Sequence, residues 1–390
     1  MENRKVCPSA GLCGGCTFQG VGYDEQLKIK EEQVKDHLRS AGIDPACFDG
    51  IMPCPVVYGY RNKMEYTFGD QVKGGEMHLG LHEAGHFMNI VEVSECQLVH
   101  EDFNTIVKET LRFVLDHGYS HYNKKKHAGL CRSLVIRRGV RTKELVVNII
   151  TTSEEAFDEE GFSAMLLGLD LDNRIVGILH TVNDALADVI KCDELRLIYG
   201  REYYEEEIMG LKFRIGPFSF FQTNVEAAER LYIDAISLID DLQGKTVYDL
   251  FCGTGTITQA MARKAKKAIG VEIVEEAVET ARESARLNGL DNCEFIAEDV
   301  LTALSKIEDK PDVIVVDPPR SGIVPKAMKQ ILDYSVDQIV YISCNPKTMV
   351  VNLRSAIDSG YVIKSIKAYD NFPMTKHIET ICCLYRHKEY

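Results

Sequence analysis

Cys344, Asp317 and Glu379 are the residues whose types and settings best suit chemistry. Cys344 sits in Ser343-Cys344-Asn345-Pro346, directly after the apolar run Gln338-Ile339-Val340-Tyr341-Ile342. Asp317-Pro318-Pro319-Arg320 closes another apolar run, and Glu379 stands in Lys376-His377-Ile378-Glu379, where a further run begins. A thiol and two acids, each at the end or start of an expected strand, suit covalent catalysis: the thiolate is a nucleophile and a carboxylate a base. Pro346 fits the first turn of a helix, whose N-terminus would favour thiolate at Cys344. The plainer reading is a buried cysteine, a proline-terminated strand and a solvated acid.

The elements that must position these groups are legible from about residue 245 onward. Thr246–Phe251 reads as a strand, followed by Gly253-Thr254-Gly255 and a helix over Thr256–Lys266. Ala268–Glu272 is a second strand, and the helix Glu275–Leu287 after it stops at Asn288-Gly289. Cys293–Ile296, Val313–Val316 and Ile339–Ile342 continue the series, and Tyr361–Ala368 with Ile378–Tyr385 reads as a strand and its antiparallel return. Strands alternating with helices predict a doubly wound, mostly parallel α/β sheet. Ligands bind such sheets outside the carboxyl ends of the strands. Gly253, Glu272, Asp299, Asp317 and Cys344 fall at those ends, and Glu379 reaches the same rim because its strand runs backwards.

The rim also selects a cofactor. Asp249-Leu250-Phe251-Cys252-Gly253-Thr254-Gly255 resembles a dinucleotide loop, but Thr258 occupies the place of the third glycine. Glu272 can accept both ribose hydroxyls and Asp299 an adenine amino group. An acidic rim suits a sulfonium and an ammonium better than a pyrophosphate, which points to S-adenosylmethionine.

Composition bounds the rest. The chain has 390 residues, 45% of them hydrophobic, thirteen cysteines and a net charge of −14. That is room for two or three domains. No signal or membrane-spanning run is visible, so the expectation is a cytoplasmic protein with reduced thiols and no membrane partner. Cys7, Cys13 and Cys16 share a glycine-rich loop, with Cys96 a plausible fourth ligand for zinc or an iron–sulfur cluster. Alternating runs between 52 and 219 predict an antiparallel β domain. Its basic clusters, Lys124-Lys125-Lys126-His127 and Arg132 through Arg137-Arg138 to Arg141, are the candidate phosphate contacts on an acidic chain.

Taken with Phe220-Phe221-Gln222-Thr223-Asn224 and Phe372-Pro373-Met374-Thr375 before Lys376, these motifs resemble the RNA uridine-5-methyltransferases of the RumA/TrmA family over nearly the whole chain. The resemblance implies an α/β fold: a Rossmann-like S-adenosylmethionine-dependent methyltransferase domain, a central antiparallel β domain and an N-terminal iron–sulfur loop. It implies segments 1–18 (cluster loop), 19–51 (a helical segment on the methyltransferase domain), 52–219 (central, RNA-binding) and 220–390 (methyltransferase). By it, Gln222, Phe251, Glu272, Asp299 and Asp317 bind the cofactor and base, Cys344 attacks uracil C6, and Glu379 removes the C5 proton. Cys7, Cys13, Cys16 and Cys96 hold a 4Fe–4S cluster, and Tyr60-Arg61-Asn62-Lys63 resembles a motif near the substrate. The family often has Asn at Thr256, and many members begin with a TRAM barrel ahead of the cysteine loop. The loop directs the expectation to 23S rRNA, and the enzyme is expected to be a monomer. The alternatives are transfer RNA, an exocyclic-amine methyltransferase, or an inactive RNA-binding protein.

Overall fold

The computed structural model describes residues 6–186 and 192–387. Residues 1–5, 187–191 and 388–390, which fall within the expected segments 1–18, 52–219 and 220–390, lie outside the described residues. Two compact units emerge. One comprises Gly22–Pro55, Ile208–Phe213 and the chain from Ser219 onward; the other comprises the chain up to Val21, Val56–Glu207 and Arg214–Phe218. Among the described residues no helix is long and apolar enough to cross a membrane.

The first unit is an eight-stranded sheet. Across it the strands run Phe48–Met52, Tyr361–Tyr369, Glu379–Arg386, Gln338–Ser343, Val313–Val316, Thr246–Leu250, Lys267–Glu272 and Cys293–Ala297. Only Glu379–Arg386 opposes its neighbours. Val313–Val316 is buried at every position, as a central strand covered on both faces requires. Gly255 opens the helix Thr256–Ala262 at φ 74°, where an added Cβ would lie 2.6 Å from the Phe295 ring. That close approach and the left-handed backbone both need glycine.

The helix Tyr23–Ser40 buries Gln26, Lys30, Val34 and Leu38. Four-residue spacing puts all four on one stripe. Val34 and Leu38 join the apolar core that includes Leu353 and Ala356, whereas Gln26 and Lys30 take two polar groups into the interior.

The second unit carries a seven-stranded sheet ordered His86–Glu92, Met77–Glu83, Lys63–Asp70, Cys131–Gly139, Glu144–Thr151, Arg174–Val182 and Glu194–Gly200. The expectation of a purely antiparallel central domain needs correcting. Glu144–Thr151 and Arg174–Val182 pair in parallel, because the helix Glu159–Leu167 lies between them in the chain and carries it back across the sheet. The basic cluster is corrected too. Arg132 is buried and donates to the carbonyls of Asn183 and Ala185, and Arg137 is 2% exposed. Neither guanidinium is placed to meet a phosphate. Lys125, Lys126 and His127 are exposed.

Candidate active site

The candidate catalytic rim is assembled by strand register and by one loop-to-loop clasp. Ser343 pairs with Thr380 across the antiparallel strands, so Cys344 and Glu379 emerge as cross-strand neighbours. The Thr380 hydroxyl donates to the Ser343 carbonyl at 3.1 Å and secures that register. Asp317 follows the adjacent strand, its N–H donating to the Leu250 carbonyl at 3.2 Å. Asn345 Nδ2 and the Thr348 hydroxyl then donate to the Arg320 carbonyl at 2.8 and 3.3 Å. These bonds tie the Asp-Pro-Pro-Arg loop to the start of the helix Pro346–Asp358.

Crowding shows in the acidities. Burial raises the Cys344 thiol to about 11, with Glu379 and Asp317 adding to the rise and Arg320 opposing it. Burial and Asp249 bring Asp317 to about 7. Burial, then Asp317, holds Glu379 well above the usual carboxylate range. The helix start acts in the expected direction, since a backbone hydrogen bond at Cys344 opposes the rise, but it does not set the net acidity. Desolvation and two acids outweigh the helix start. A cation at this rim would favour the ionised forms of all three groups.

The residues expected to meet a cofactor lie on the next strands. Phe251 leaves the strand Thr246–Leu250 at φ 69°, and its N–H donates to the Val271 carbonyl at 2.9 Å. Glu272 ends the adjoining strand, its carboxylate accepting the Gly253 and Val274 N–H groups at 3.1 and 3.0 Å. One N–H per oxygen leaves lone pairs for a ribose diol. Gln222 donates to the Tyr232 hydroxyl at 2.8 Å, and the buried Tyr232 feels Asp317, Glu379 and Asp249. Asp299 is the outlier: exposed, it caps the helix Val300–Lys306 by accepting the Leu301 N–H at 3.0 Å.

Two contributors escape sequence reasoning. Asp249 is fully buried; one oxygen accepts from the Thr258 hydroxyl at 2.5 Å, and the other has no partner. Burial raises it to about 6. An unpaired buried oxygen beside Glu272 and Asp317 is a ready acceptor for a donor such as an ammonium. Thr258, the residue in place of the third glycine, supplies its anchor. Tyr232 had no signal beyond an ordinary amphipathic helix.

In the other unit, the cysteine loop is stitched to the hairpin Met77–Glu92. Cys13 bridges Glu83, Gly14 donates to the His82 carbonyl, and Ala84 donates to Leu12. Cys16 rises to about 12, through burial and then Cys96, Cys13 and Cys7; Cys96 likewise feels Cys13 and Cys7. The four expected ligands thus share one neighbourhood. Gly15 N–H donates to Cys13 sulfur at 3.3 Å, and Arg61 stands near Cys96. No three of these sulfurs close to within 4.8 Å; among the described residues only His100, Asp102 and Asp172 do so. There the Asp102 carboxylate already takes N–H bonds from Asp172 and Asn173, which marks a structural lock.

Comparison with known proteins gives these sites a family. Residues 187–387 match the model of the tRNA (uracil-5-)-methyltransferase family. An uncharacterized RNA methyltransferase of Clostridium tetani is 46% identical over 97% of this chain and 83% of its own length. One from Caldanaerobacter subterraneus is also 46% identical, over 97% and 84%. The crystal structure of Pyrococcus abyssi tRNA (uracil-54, C5)-methyltransferase with S-adenosyl-L-homocysteine superposes with a TM-score of 0.79 at 29% identity, covering 97% of this chain and 88% of that one. The chain belongs to the tRNA (uracil-5-)-methyltransferase family of S-adenosylmethionine-dependent RNA methyltransferases.

Proposed function

We propose that this enzyme methylates C5 of a uridine in RNA through a covalent adduct at Cys344. The observation that carries the reading is the meeting of Cys344, Asp317 and Glu379 at one sheet edge. Uracil C5 is a weak nucleophile. Cys344, once deprotonated, adds to C6, and the C5–C6 π electrons move to the C4 oxygen as an enolate. Bound S-adenosylmethionine would supply the methyl group that C5 takes up, with the S–C bonding pair staying on sulfur as S-adenosylhomocysteine leaves. Glu379, as carboxylate, then removes the C5 proton; the released electron pair reforms the double bond and expels the Cys344 thiolate. Asp249, with its unpartnered buried oxygen, and the partly buried Asp317 and Glu272 fit the cofactor because a cluster of acids suits a cationic, donor-rich molecule. Gln222 and Phe251 complete that side, and Asp299 meets the adenine from the rim's outer end.

Cys7, Cys13, Cys16 and Cys96 fit a 4Fe–4S cluster. Four thiols are a ligand set that tetrahedral zinc or a 4Fe–4S cluster can use, and the resemblance of the cysteine loop favours the cluster. A cubane binds one sulfur at each iron, and N–H···S bonds such as that of Gly15 suit it. The cluster would supply a structural clasp between loop and hairpin.

For RNA, the hairpin beside that loop offers a platform. Phe87 is 60% exposed, its ring stacks on His82 at 4.3 Å, and Lys124 Nζ lies 4.6 Å from its centroid. With Lys124 drawn to a phosphate, the Phe87 face that it covers suits an unstacked base, and Lys125 and Lys126 stand beside it for further phosphates.

The RNA itself has two readings. The cysteine loop's resemblance favours 23S rRNA, and the likeness to an enzyme that acts on transfer RNA favours tRNA. Purified holoenzyme, S-adenosylmethionine and unmodified transcripts of each RNA decide between them by mass spectrometry. 5-Methyluridine in one transcript supports that reading; methyl groups only on exocyclic amines overturn the proposal.

A further inference from the structure

The loop Asp370–His377 delivers the chain to Glu379, and it is held from an unexpected place. Lys30 and Asp370 form an ion pair at 2.6 Å with both side chains 0% exposed. Lys30 also donates to the Phe372 carbonyl at 3.1 Å, and Phe372 N–H returns to Asp370 at 3.2 Å. One turn earlier on the same helix face, Gln26 Oε1 accepts the Met374 N–H at 2.9 Å, while its amide donates to the Met374 sulfur at 3.2 Å. Met374 sits at φ 66°, a left-handed backbone that a non-glycine residue adopts only when its surroundings impose it. The Thr375 hydroxyl closes the turn onto Phe372, and Ile378 and Glu379 follow, both buried.

A buried lysine is expensive, and a hydrophobic pair would serve folding as well or better. What Lys30 and Gln26 add over such a pair is direction. Their four bonds converge on three residues of a loop, and the strand that begins with the candidate base starts where that loop ends.

We propose that Gln26 and Lys30 are positioning residues for the reaction, setting through Asp370, Phe372 and Met374 the aim of Glu379 at the C5 proton. This rests on the covalent reading above. Proton removal comes after adduct formation, so a misaimed Glu379 stalls the enzyme in a specific state. The Cys344–RNA adduct forms, is methylated, and is not released.

The test is denaturing electrophoresis of holoenzyme mixed with ordinary uridine-containing RNA and S-adenosylmethionine, with wild type, Lys30→Met, Gln26→Leu and Glu379→Gln compared. The expected result is a methylated protein–RNA band accumulating with Lys30→Met and Gln26→Leu, as with Glu379→Gln. Turnover should fall about 10–100-fold, with RNA KM within about threefold of wild type, as a displacement near 1 Å implies. Gln26→Leu removes no charge and decides the matter should Lys30→Met not fold. Reduced turnover without any band, or unchanged turnover, in the folded variants overturns the positioning role. Should Glu379→Gln also give no band, and wild type give none with 5-fluorouridine RNA, the covalent reading itself fails and this inference with it.

Discussion

Cys344 and Cys16 are both half-buried thiols held above their ordinary acidity range, but their neighbours differ in kind. Cys344 is opposed by carboxylates, Glu379 and Asp317, whereas Cys16 is opposed by other thiols, Cys96, Cys13 and Cys7. In each place the anionic form is costly until a cation joins it. A rim of acids around one thiol suits a transient organic cation and proton transfer. A ring of thiols suits a resident metal cluster. On the proposed reading, the same electrostatics would serve turnover in one case and permanent ligation in the other.

Substitutions can pull that comparison apart. Glu379→Gln should have the largest effect, lowering turnover about 10²–10⁴-fold while leaving iron content at wild-type level. Cys16→Ser should do the reverse of part of this: iron is lost on anaerobic purification, and the melting of its unit falls by roughly 5 °C or more. Stoichiometric zinc in an iron-free wild-type preparation would break the assignment of the thiol ring. Phe87→Ala should weaken RNA binding by about 1–3 kcal/mol in a filter or anisotropy assay. Replacing Lys124, Lys125 and Lys126 by Gln should reduce the salt slope of binding by about 0.7 for each phosphate that is no longer neutralised.

The smallest effect tests the electrostatics. Asp317 has a raised folded pKa, so its ionisation penalises the fold. The penalty is absent below the unfolded carboxylate range, grows as pH rises, and is complete above about 7. Asp317→Asn should therefore match wild-type stability near pH 4 and exceed it by roughly 1–2 kcal/mol at pH 8 in chemical denaturation, after allowance for solvent screening. Equal stability at both pH values would remove the crowding argument.

The two sites were also legible in different ways. Cys7, Cys13 and Cys16 lie within one turn-rich loop, so local spacing alone brings them together. Asp317, Cys344 and Glu379 meet only because parallel strands deliver their carboxyl ends to one edge and one strand runs back, a rule of topology rather than of spacing. The strand Phe48–Met52 was missed because Asp49 and Gly50 are poor strand formers and its partner, Tyr361–Tyr369, lies some three hundred residues away. Gln26 and Lys30 hide in an otherwise ordinary helical stripe, since nothing local distinguishes a buried lysine from a solvated one. Arg132 and Arg137 misled for the same reason. At Cys344 the helix start is visible in Asn345-Pro346, whereas the acids that outweigh it arrive from other strands.

The central claim is that Cys344 bonds to the target base. Holoenzyme incubated with S-adenosylmethionine and RNA carrying 5-fluorouridine leaves Glu379 no C5 proton to remove, so the adduct cannot resolve. The account predicts a methylated protein–RNA complex that survives denaturation with wild type and is absent with Cys344→Ala. No such complex from wild-type enzyme that methylates ordinary RNA, or an equal yield from Cys344→Ala, would contradict it.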